Sequence, residues 1–257
     1  MPESNDHLYR HTAALFDIRY AQKDYKAEAD HYVSLMERLK PGARTLLDVA
    51  CGTGSHLNAF VGHYNSEGLD LNRELLAIAR QRLGPDVPLH EGDMTDFDLG
   101  RTFDLVNCLF ASTPYLLTVE RLQAAIGAMA RHLGADGILF IEPWLTPSVY
   151  RENEVVHNLR RTSELTASWM YVQRRVGSVA VWDINWLIGT SADGVTHVVE
   201  REELALYKPE DYHDAFTAAG LAWRQSPRGL HGYGAYIARR APFTDAEVAI
   251  IDATLGT

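Results

Sequence analysis

An aspartate and two glycines lie close together near the middle of the first third of the chain. A short apolar run ends in Asp48, and Gly52 and Gly54 follow before a segment with helical spacing. Such a run is typical of a buried parallel strand, and glycine lets a ligand approach the backbone closely. The unpaired N–H groups at the start of the next helix add hydrogen-bond donors. This pattern predicts a nucleotide-type binding site.

Two common nucleotide motifs do not fit this turn. A phosphate-binding loop needs a Lys-Ser or Lys-Thr pair after its glycines, and this chain has Ser55 and His56 there. A dinucleotide fingerprint needs a third glycine, and Leu57 occupies that position. The carboxylate of Asp48 instead suits a ligand with a cationic amino group, because opposite charges pair well in a partly dry cleft.

Two further acids end short apolar runs downstream. Asp70 lies where a group would hold both ribose hydroxyls, and Asp93 ends the next predicted strand. Because open parallel sheets bind ligands at the carboxyl edge of their strands, we expect Asp48, Asp70 and Asp93 to lie near one another. Structural alternatives remain open, since Asp70 could cap the helix predicted over residues 73–82 and Asp93 could form a turn.

The elements that position these acids alternate along the chain. Five apolar runs and four helical stretches predict an α/β fold with a Rossmann-like parallel sheet. We divide the chain into an N-terminal helical lid (1–42), a Rossmann-like core (43–144), an antiparallel β auxiliary insertion (145–208), a C-terminal completion of the core sheet (209–240) and a tail (241–257).

The auxiliary insertion has a different pattern from the core. Residues 179–186 alternate between apolar and polar side chains, which predicts antiparallel strands with one wet face. Trp169, Trp182 and Trp186 would form an aromatic pocket wall, a core or a dimer face. The insertion would thus roof a substrate pocket or join two subunits.

Composition excludes several function classes. A net charge of −10 and the lack of a Lys and Arg run argue against nucleic acid as substrate or partner. No apolar stretch is long enough to cross a membrane, and the N-terminus does not resemble a signal peptide. With only two cysteines, we expect a reducing, cytoplasmic location. The scattered histidines predict no metal site.

Three motifs together resemble those of the class I S-adenosylmethionine-dependent methyltransferases. DVACGTG at 48–54 is similar to the glycine motif of that family, GLDLN at 68–72 to its ribose motif, and GDMTDF at 92–97 to its adenine motif. The resemblance implies S-adenosylmethionine as cofactor, with the methionine part near Asp48 and the backbone of Ala50, Gly52 and Gly54, the ribose on Asp70, the adenine near Leu71, Asp93 and Met94, and further contacts from Tyr25 and Leu109.

Residues 5–40 read as helices that would cover this cleft as a lid. Excluding water matters in such a site, because the charge of the sulfonium is consumed in the transition state of methyl transfer. Tyr9 and Tyr20 would reach the cleft from the lid and contact the substrate.

The flanking segments narrow the resemblance. KDYKAEA at 23–29, CLFASTPYL at 108–116, EPW at 142–144 and SPRGL at 226–230 together resemble the N,N-dimethyltransferases of deoxyaminosugar biosynthesis. Those enzymes methylate the amine of a nucleotide-linked amino sugar. The auxiliary insertion matches them poorly, and substrate choice in that group lies there.

This narrower resemblance implies substrate and catalytic residues. Tyr115 would face the acceptor amine, Trp144 would lie at the mouth of the sheet, and Arg228 would pair with a diphosphate. Positioning and electrostatics supply most of the rate. Tyr115 is the first candidate to orient the nitrogen and handle its proton, followed by Glu142 and His231, although Glu142 would also suit a role in supporting neighbouring backbone.

Two other hypotheses remain open at the level of sequence. The many aromatic residues would also suit an indole, phenol or peptide-derived natural product, methylated at carbon, nitrogen or oxygen. A regulator or subunit that retains the cofactor without catalysing a reaction is disfavoured, because a site that has lost its activity has no physical need for Asp48, Asp70 and Asp93 together. A homodimer formed through the auxiliary β region or the N-terminal helices is one hypothesis for the assembly.

Overall fold

Two β-sheets organise the protein, whose computed structural model describes residues 13–230 and 232–256. In chain order the strands are β1 (Thr45–Val49), β2 (Asn65–Asp70), β3 (Leu89–Glu91), β4 (Phe103–Cys108), β5 (Leu133–Ile141), β6 (Val155–Arg161), β7 (Leu165–Val172), β8 (Arg174–Val176), β9 (Val179–Thr190), β10 (Gly194–Ala205), β11 (Ala222–Ser226) and β12 (Ala235–Arg239). One sheet has the order β11-β12-β5-β4-β1-β2-β3, and the other has the order β10-β9-β7-β6 with β8 paired to β9.

Helices cover both faces of the first sheet. They are α1 (Ala13–Arg19), α2 (Tyr25–Leu39), α3 (Ser55–Phe60), α4 (Arg73–Leu83), α5 (Val119–Arg131), α6 (Pro209–Ala218) and α7 (Asp245–Leu255). One apolar core lies under α5 and α6 and includes Ile126 and Phe216; the other lies under α2 and α7 and includes Tyr32 and Ile251. Among the described helices, none has the length and apolar character needed to cross a bilayer.

The predicted α/β fold with its auxiliary antiparallel sheet is confirmed. Strands β1 to β5 pair in parallel, whereas β12 and β11 complete the sheet as an antiparallel pair. The central strands are buried on both faces, which explains their continuous apolar runs. Their carboxyl ends meet at one edge, so Asp48 and Asp70 come from neighbouring strands to the same place.

Two local expectations differ from the structure. The connection between β3 and β4 contains turns instead of a helix, because the Asp93 carboxylate accepts from the backbone N–H of Thr95 and Asp98 accepts from that of Gly100. The segment described as a tail contains α7, which begins with a capping box formed by Thr244 and Glu247. Apolar side chains of α7 complete the core beside α2.

The second sheet presents its aromatic face to the rest of the molecule. Trp169, Trp182 and Trp186 are buried on this inner face, in one cluster with Leu15 of α1. The indole N–H of Trp186 donates to Glu200 at 3.2 Å. These tryptophans therefore form core and pocket wall, and the outer face of the sheet carries different side chains.

Candidate cofactor and acceptor site

A cavity of about 1340 Å³ lies at the carboxyl edge of the parallel strands, between α1 and the auxiliary sheet. Sites for one small ligand usually occupy about 300–1,000 Å³, so this cavity has room for a cofactor and an acceptor together. The sequence-predicted residues that line it are Tyr20, Tyr25, Asp48, Ala50, Gly52, Asp70, Leu71, Asp93, Met94, Leu109, Tyr115 and Trp144.

Three other candidate residues, Gly54, Glu142 and Arg228, do not line the cavity wall. Tyr9 and His231 lie outside the described residues. Gly54 lies behind the turn, where an added Cβ atom would come within 2.9 Å of Leu83. Glu142 lies beneath the wall, and Arg228 lies in the loop after β11 beside the end of α7, where an added Cβ at Gly256 would meet its side chain at 2.7 Å.

Asp70 joins the end of β2 to the glycine turn. Its Oδ2 accepts from the Gly52 N–H at 2.7 Å, and its Oδ1 accepts from the Asn72 N–H at 2.8 Å. The side chain of Asn72, not that of Asp70, caps α4 by accepting from Leu75 N–H at 3.0 Å. Gly52 adopts a φ of 55°, and no atom of the described residues lies within 4 Å of where its Cβ would be. The turn therefore leaves open space for a ligand directly beside an ionisable carboxyl group.

Asp48 is a deeply buried acid of the site and is only 2% exposed. Burial, reinforced by the charges of Asp70 and Glu142, raises its pKa to about 8. The amide of Asn107 donates to its Oδ1 at 3.3 Å. A cationic ligand would relieve the repulsion between these carboxyl groups. This concentration of acids fits a cofactor that carries both an ammonium group and a sulfonium, as S-adenosylmethionine does.

Asp93 lines the cavity and also forms a turn. Its Oδ1 accepts from the N–H and hydroxyl of Thr95, which makes it a turn former, and its Oδ2 accepts from Arg121 at 2.8 Å. Although partial burial opposes ionisation, these hydrogen bonds lower its pKa. Met94 and the half-exposed Leu71 line the same part of the cavity. An adenine bound there would donate a hydrogen bond to the Asp93 carboxylate and pack against these two apolar side chains.

Backbone strain is concentrated around the cavity. Ala50, Phe110 and Ala111 all line it with φ between 54° and 60°, a region that costs non-glycine residues of order 1–3 kcal/mol each. Glu142 lies behind this wall, and its Oε2 accepts from the N–H of Phe110 at 2.8 Å. The carboxylate thus holds the strained loop after β4 in place.

A charged cluster that sequence reasoning did not single out closes the cofactor end. The Glu28 carboxylate is hydrogen-bonded to both Lys23 and His56, and the Nζ of Lys23 lies 4.3 Å from the centroid of the Phe110 ring. Burial opposes ionisation of Glu28, but its bonds to His56 and Lys23 lower its pKa to about 2. Burial lowers the pKa of His56, which favours its neutral form. The KDYKAEA motif contained Lys23 and Glu28, yet nothing in one sequence paired them with His56.

A second missed network fastens α1 to the glycine turn. The Thr53 hydroxyl donates to Asp17 Oδ1 at 2.7 Å, and Arg82 of α4 donates to Asp17 Oδ2 at 2.5 Å and to the Ser55 hydroxyl at 2.9 Å. Because Asp17 belongs to α1, this network holds the helix over the cavity. Phe16 and Arg19 of the same helix line its wall; these two positions carry no motif that would have identified them.

The acceptor half of the cavity is aromatic. Trp144 contacts Trp182 edge to face at 5.4 Å between centroids, and Tyr171 stacks on Trp182 at 4.8 Å. Trp169 and Tyr115 complete this part of the wall. Flat apolar surfaces next to tyrosine hydroxyls can pack a ring and orient its polar substituents. Among the described residues, no group of His, Cys, Asp and Glu is arranged to hold a metal ion.

Comparisons with known proteins agree with this geometry. The model of a methyltransferase domain matches residues 46–137. The chain is 37% identical over 227 residues to the dTDP-3-amino-3,6-dideoxy-alpha-D-glucopyranose N,N-dimethyltransferase of Streptomyces fradiae, covering 87% of this chain and 89% of that protein.

Two solved structures are similar over most of their length. DesVI of Streptomyces venezuelae superposes with a TM-score of 0.84 at 36% identity, covering 89% of this chain and 98% of that one. CalS10 of Micromonospora echinaspora, an amino pentose methyltransferase solved with S-adenosylmethionine bound, superposes with a TM-score of 0.79 at 38% identity, covering 87% and 94%.

The fold, the acidic strand ends and these matches define a class I S-adenosylmethionine-dependent methyltransferase. Within that class, the chain belongs to the family that includes the N,N-dimethyltransferase of Streptomyces fradiae. S-adenosylmethionine is accordingly its cofactor.

Proposed function

We propose that the protein methylates the amine of a nucleotide-linked deoxyaminosugar. The observation that carries this proposal is the single cavity that runs from the acidic strand ends to the aromatic face of the auxiliary sheet. The similarity to an aminosugar N,N-dimethyltransferase over 87% of the chain supports it.

The acidic half of the cavity would hold the cofactor. Asp48 would pair with its ammonium group, Asp70 would bind the ribose hydroxyls, and Asp93 would accept from the adenine amino group. When bound, S-adenosylmethionine supplies a methyl group activated by a positively charged sulfur. The acids, the turn at Gly52 and the Glu142-supported loop fix where that group lies, so that an acceptor meets it in line.

The aromatic half would hold the acceptor with its nitrogen neutral. An apolar wall disfavours an ammonium ion, which has no lone pair for methyl transfer. The hydroxyl of Tyr115 would orient the amine and accept or pass on its proton. Burial raises the pKa of the Tyr20 phenol well above its ordinary value, so Tyr20 stays neutral and contributes packing from the lid.

The position of Arg228 changes the expected diphosphate contact. Because its side chain packs against the end of α7 outside the described cavity wall, we assign no substrate contact to it. Arg228→Ala would therefore not distinguish a sugar nucleotide from an aromatic acceptor. Only an assay with both kinds of acceptor can make that distinction.

The test is a direct assay of the purified protein with S-adenosylmethionine and a dTDP-3-amino-3,6-dideoxyglucose. Mass spectrometry of the sugar nucleotide would show the addition of one or two methyl groups. The matched acceptor with a hydroxyl in place of the amine should remain unmodified. Titration with S-adenosylhomocysteine confirms that the protein is competent. Binding of S-adenosylhomocysteine without methylation of this sugar or of the 3-amino-3,4,6-trideoxy sugar would refute the proposal, and turnover of an indole or phenol would then favour the aromatic alternative.

We also propose that the protein forms a homodimer through the outer face of the auxiliary sheet. The strand register places Leu159, Met170, Leu187 and Val199 on that face, each at least half exposed. Contiguous apolar patches on a surface commonly mark a protein interface. A second copy is the natural occupant, because a twofold contact buries the same patch on both subunits.

A further inference from the structure

A buried ion pair crosses the acceptor half of the cavity. Arg19, the last residue of α1, donates to Glu202 of β10 through both terminal nitrogens, at 2.5 and 3.2 Å. The two side chains are only 7% and 1% exposed, yet both residues line the cavity. The pair therefore forms part of the cavity wall and joins α1 to the auxiliary sheet.

The surroundings of this pair combine charge with flat aromatic surface. Glu202 lies directly opposite Trp182 in the register of β10 and β9, and Tyr171 stacks on that indole. Tyr171 also lies near enough to Arg19 for a hydrogen bond to its phenol. Asn158 of the neighbouring strand β6 adds an amide to the same wall.

Few ligand groups can bind favourably to both members of this ion pair. A phosphate would be repelled by the Glu202 carboxylate, and an ammonium group would be repelled by the Arg19 guanidinium. A neutral hydroxyl can donate to the carboxylate and accept from the guanidinium at the same time. The stacked rings of Tyr171 and Trp182 beside the ion pair can pack against the apolar face of a saturated ring.

We propose that Arg19 and Glu202 bind ring hydroxyl groups of the acceptor sugar and so contribute to sugar selectivity. This inference rests on the proposed aminosugar activity. A purely structural role does not account for the pair, because buried ion pairs are often no more stabilising than apolar side chains of similar size. The placement of both charges on the cavity wall is explained by a hydroxylated ligand.

The test replaces both charges at once. In Arg19→Met/Glu202→Met no unpaired charge is left buried, so we expect the variant to fold and to bind S-adenosylhomocysteine as the wild type does. Its KM for dTDP-3-amino-3,6-dideoxyglucose should rise about tenfold or more, as expected for losing hydrogen bonds to charged groups. The rise should be smaller for the 3-amino-3,4,6-trideoxy sugar if the missing hydroxyl is one that the pair binds.

The second variant and the control separate this role from a loss of folding. Glu202→Gln keeps the shape of the side chain and an acceptor oxygen, but it leaves the Arg19 guanidinium without a counter-ion, so binding of S-adenosylhomocysteine serves as the check that this variant folds. In the folded variant the acceptor KM should also rise. The matched control is Lys26→Met/Asp30→Asn, which removes an exposed ion pair of α2 whose side chains are 78% and 51% exposed. That control should retain the wild-type KM.

The outcomes distinguish this inference from the proposed function. If the wild type methylates the amino sugar but both Arg19→Met/Glu202→Met and Glu202→Gln keep the wild-type KM for both sugars, the hydroxyl contact is refuted while the activity stands. If the folded wild type binds S-adenosylhomocysteine but methylates neither sugar, the proposed function fails and the inference fails with it.

Discussion

The carboxylate of Asp70 accepts a hydrogen bond of 2.7 Å from the backbone N–H of Gly52, so the end of β2 fixes the turn after β1. The same carboxylate accepts from Asn72 N–H at 2.8 Å. One side chain therefore holds together the two turns that would contact the methionine and ribose parts of the cofactor. Its loss should affect cofactor binding through position as well as through direct contact.

Replacing Asp70 by Asn should weaken cofactor binding more than it weakens folding. The amide retains one acceptor oxygen, so only one of the two backbone donors keeps its partner. Hydrogen bonds to charged groups contribute about 1.5–3 kcal/mol, which corresponds to about a 10- to 100-fold weaker Kd for S-adenosylhomocysteine. Isothermal titration measures this change. Asp98→Asn, which alters an exposed turn carboxylate that accepts from Gly100 N–H, is the control; an unchanged Kd in Asp70→Asn would contradict the assignment.

Asp48 predicts a specific pH dependence of the cofactor-free protein. Its pKa is about 8 in the folded state against 3.8 ordinarily, so the folded state binds more protons than the unfolded state between these values. Stability from this group is complete below about pH 4 and declines as the pH rises towards 8. Asp48→Asn should therefore flatten the fall in Tm between pH 5 and pH 8, which thermal unfolding without ligand measures.

The same residue should couple cofactor binding to proton release. An ionised Asp48 pairs best with the ligand ammonium group, so affinity for S-adenosylhomocysteine should rise as the pH approaches 8. Titration in buffers of different ionisation enthalpy detects the released proton. Equal pH profiles for the wild type and Asp48→Asn would show that another group controls binding.

The core of the fold was predictable because its signals are local. The buried strand that contains Asp48 is marked by an apolar run, and Asp70 is the acid that ends the next short strand. The missing helix between β3 and β4 was not predictable in this way, because Asp93 and Asp98 bond to their own backbone and this competes with helix formation.

The cavity was only partly predictable because its acceptor half depends on long-range contacts. Arg19 and Glu202 are 183 positions apart, and no spacing rule connects them. His56 and Glu28 likewise meet only when α2 packs over α3. A sequence motif identifies functional residues that lie close together in the chain, whereas these pairs are brought together only by tertiary packing.

Tyr115→Phe tests the proposed proton-handling residue. Removing only the hydroxyl should lower kcat by about 100-fold, the lower end of what acid–base groups contribute. Cofactor affinity should stay the same, because the ring that lines the wall is retained. Steady-state kinetics with the amino sugar measures both parameters.

The control for Tyr115→Phe is the same chemical change at a distance from the cavity. The Tyr64 hydroxyl is buried, has no hydrogen-bond partner in the part of the chain that the structure describes, and lies outside the cavity lining. Tyr64→Phe should therefore leave kcat unchanged. A wild-type kcat in Tyr115→Phe would move the search for the proton acceptor to the other tyrosines of the wall.

Leu187→Lys tests the proposed homodimer. Leu187 is half exposed at the centre of the outer face of the auxiliary sheet, opposite Ser168 on β7. A lysine charge buried between two copies of this face would lack a partner, so dimer affinity should fall at least about tenfold. Light scattering after size exclusion should show the wild type at twice the mass of the variant. Val61→Lys, at a similarly exposed position outside both sheets, should keep the wild-type mass; a single monomeric mass for all three proteins would rule out this interface.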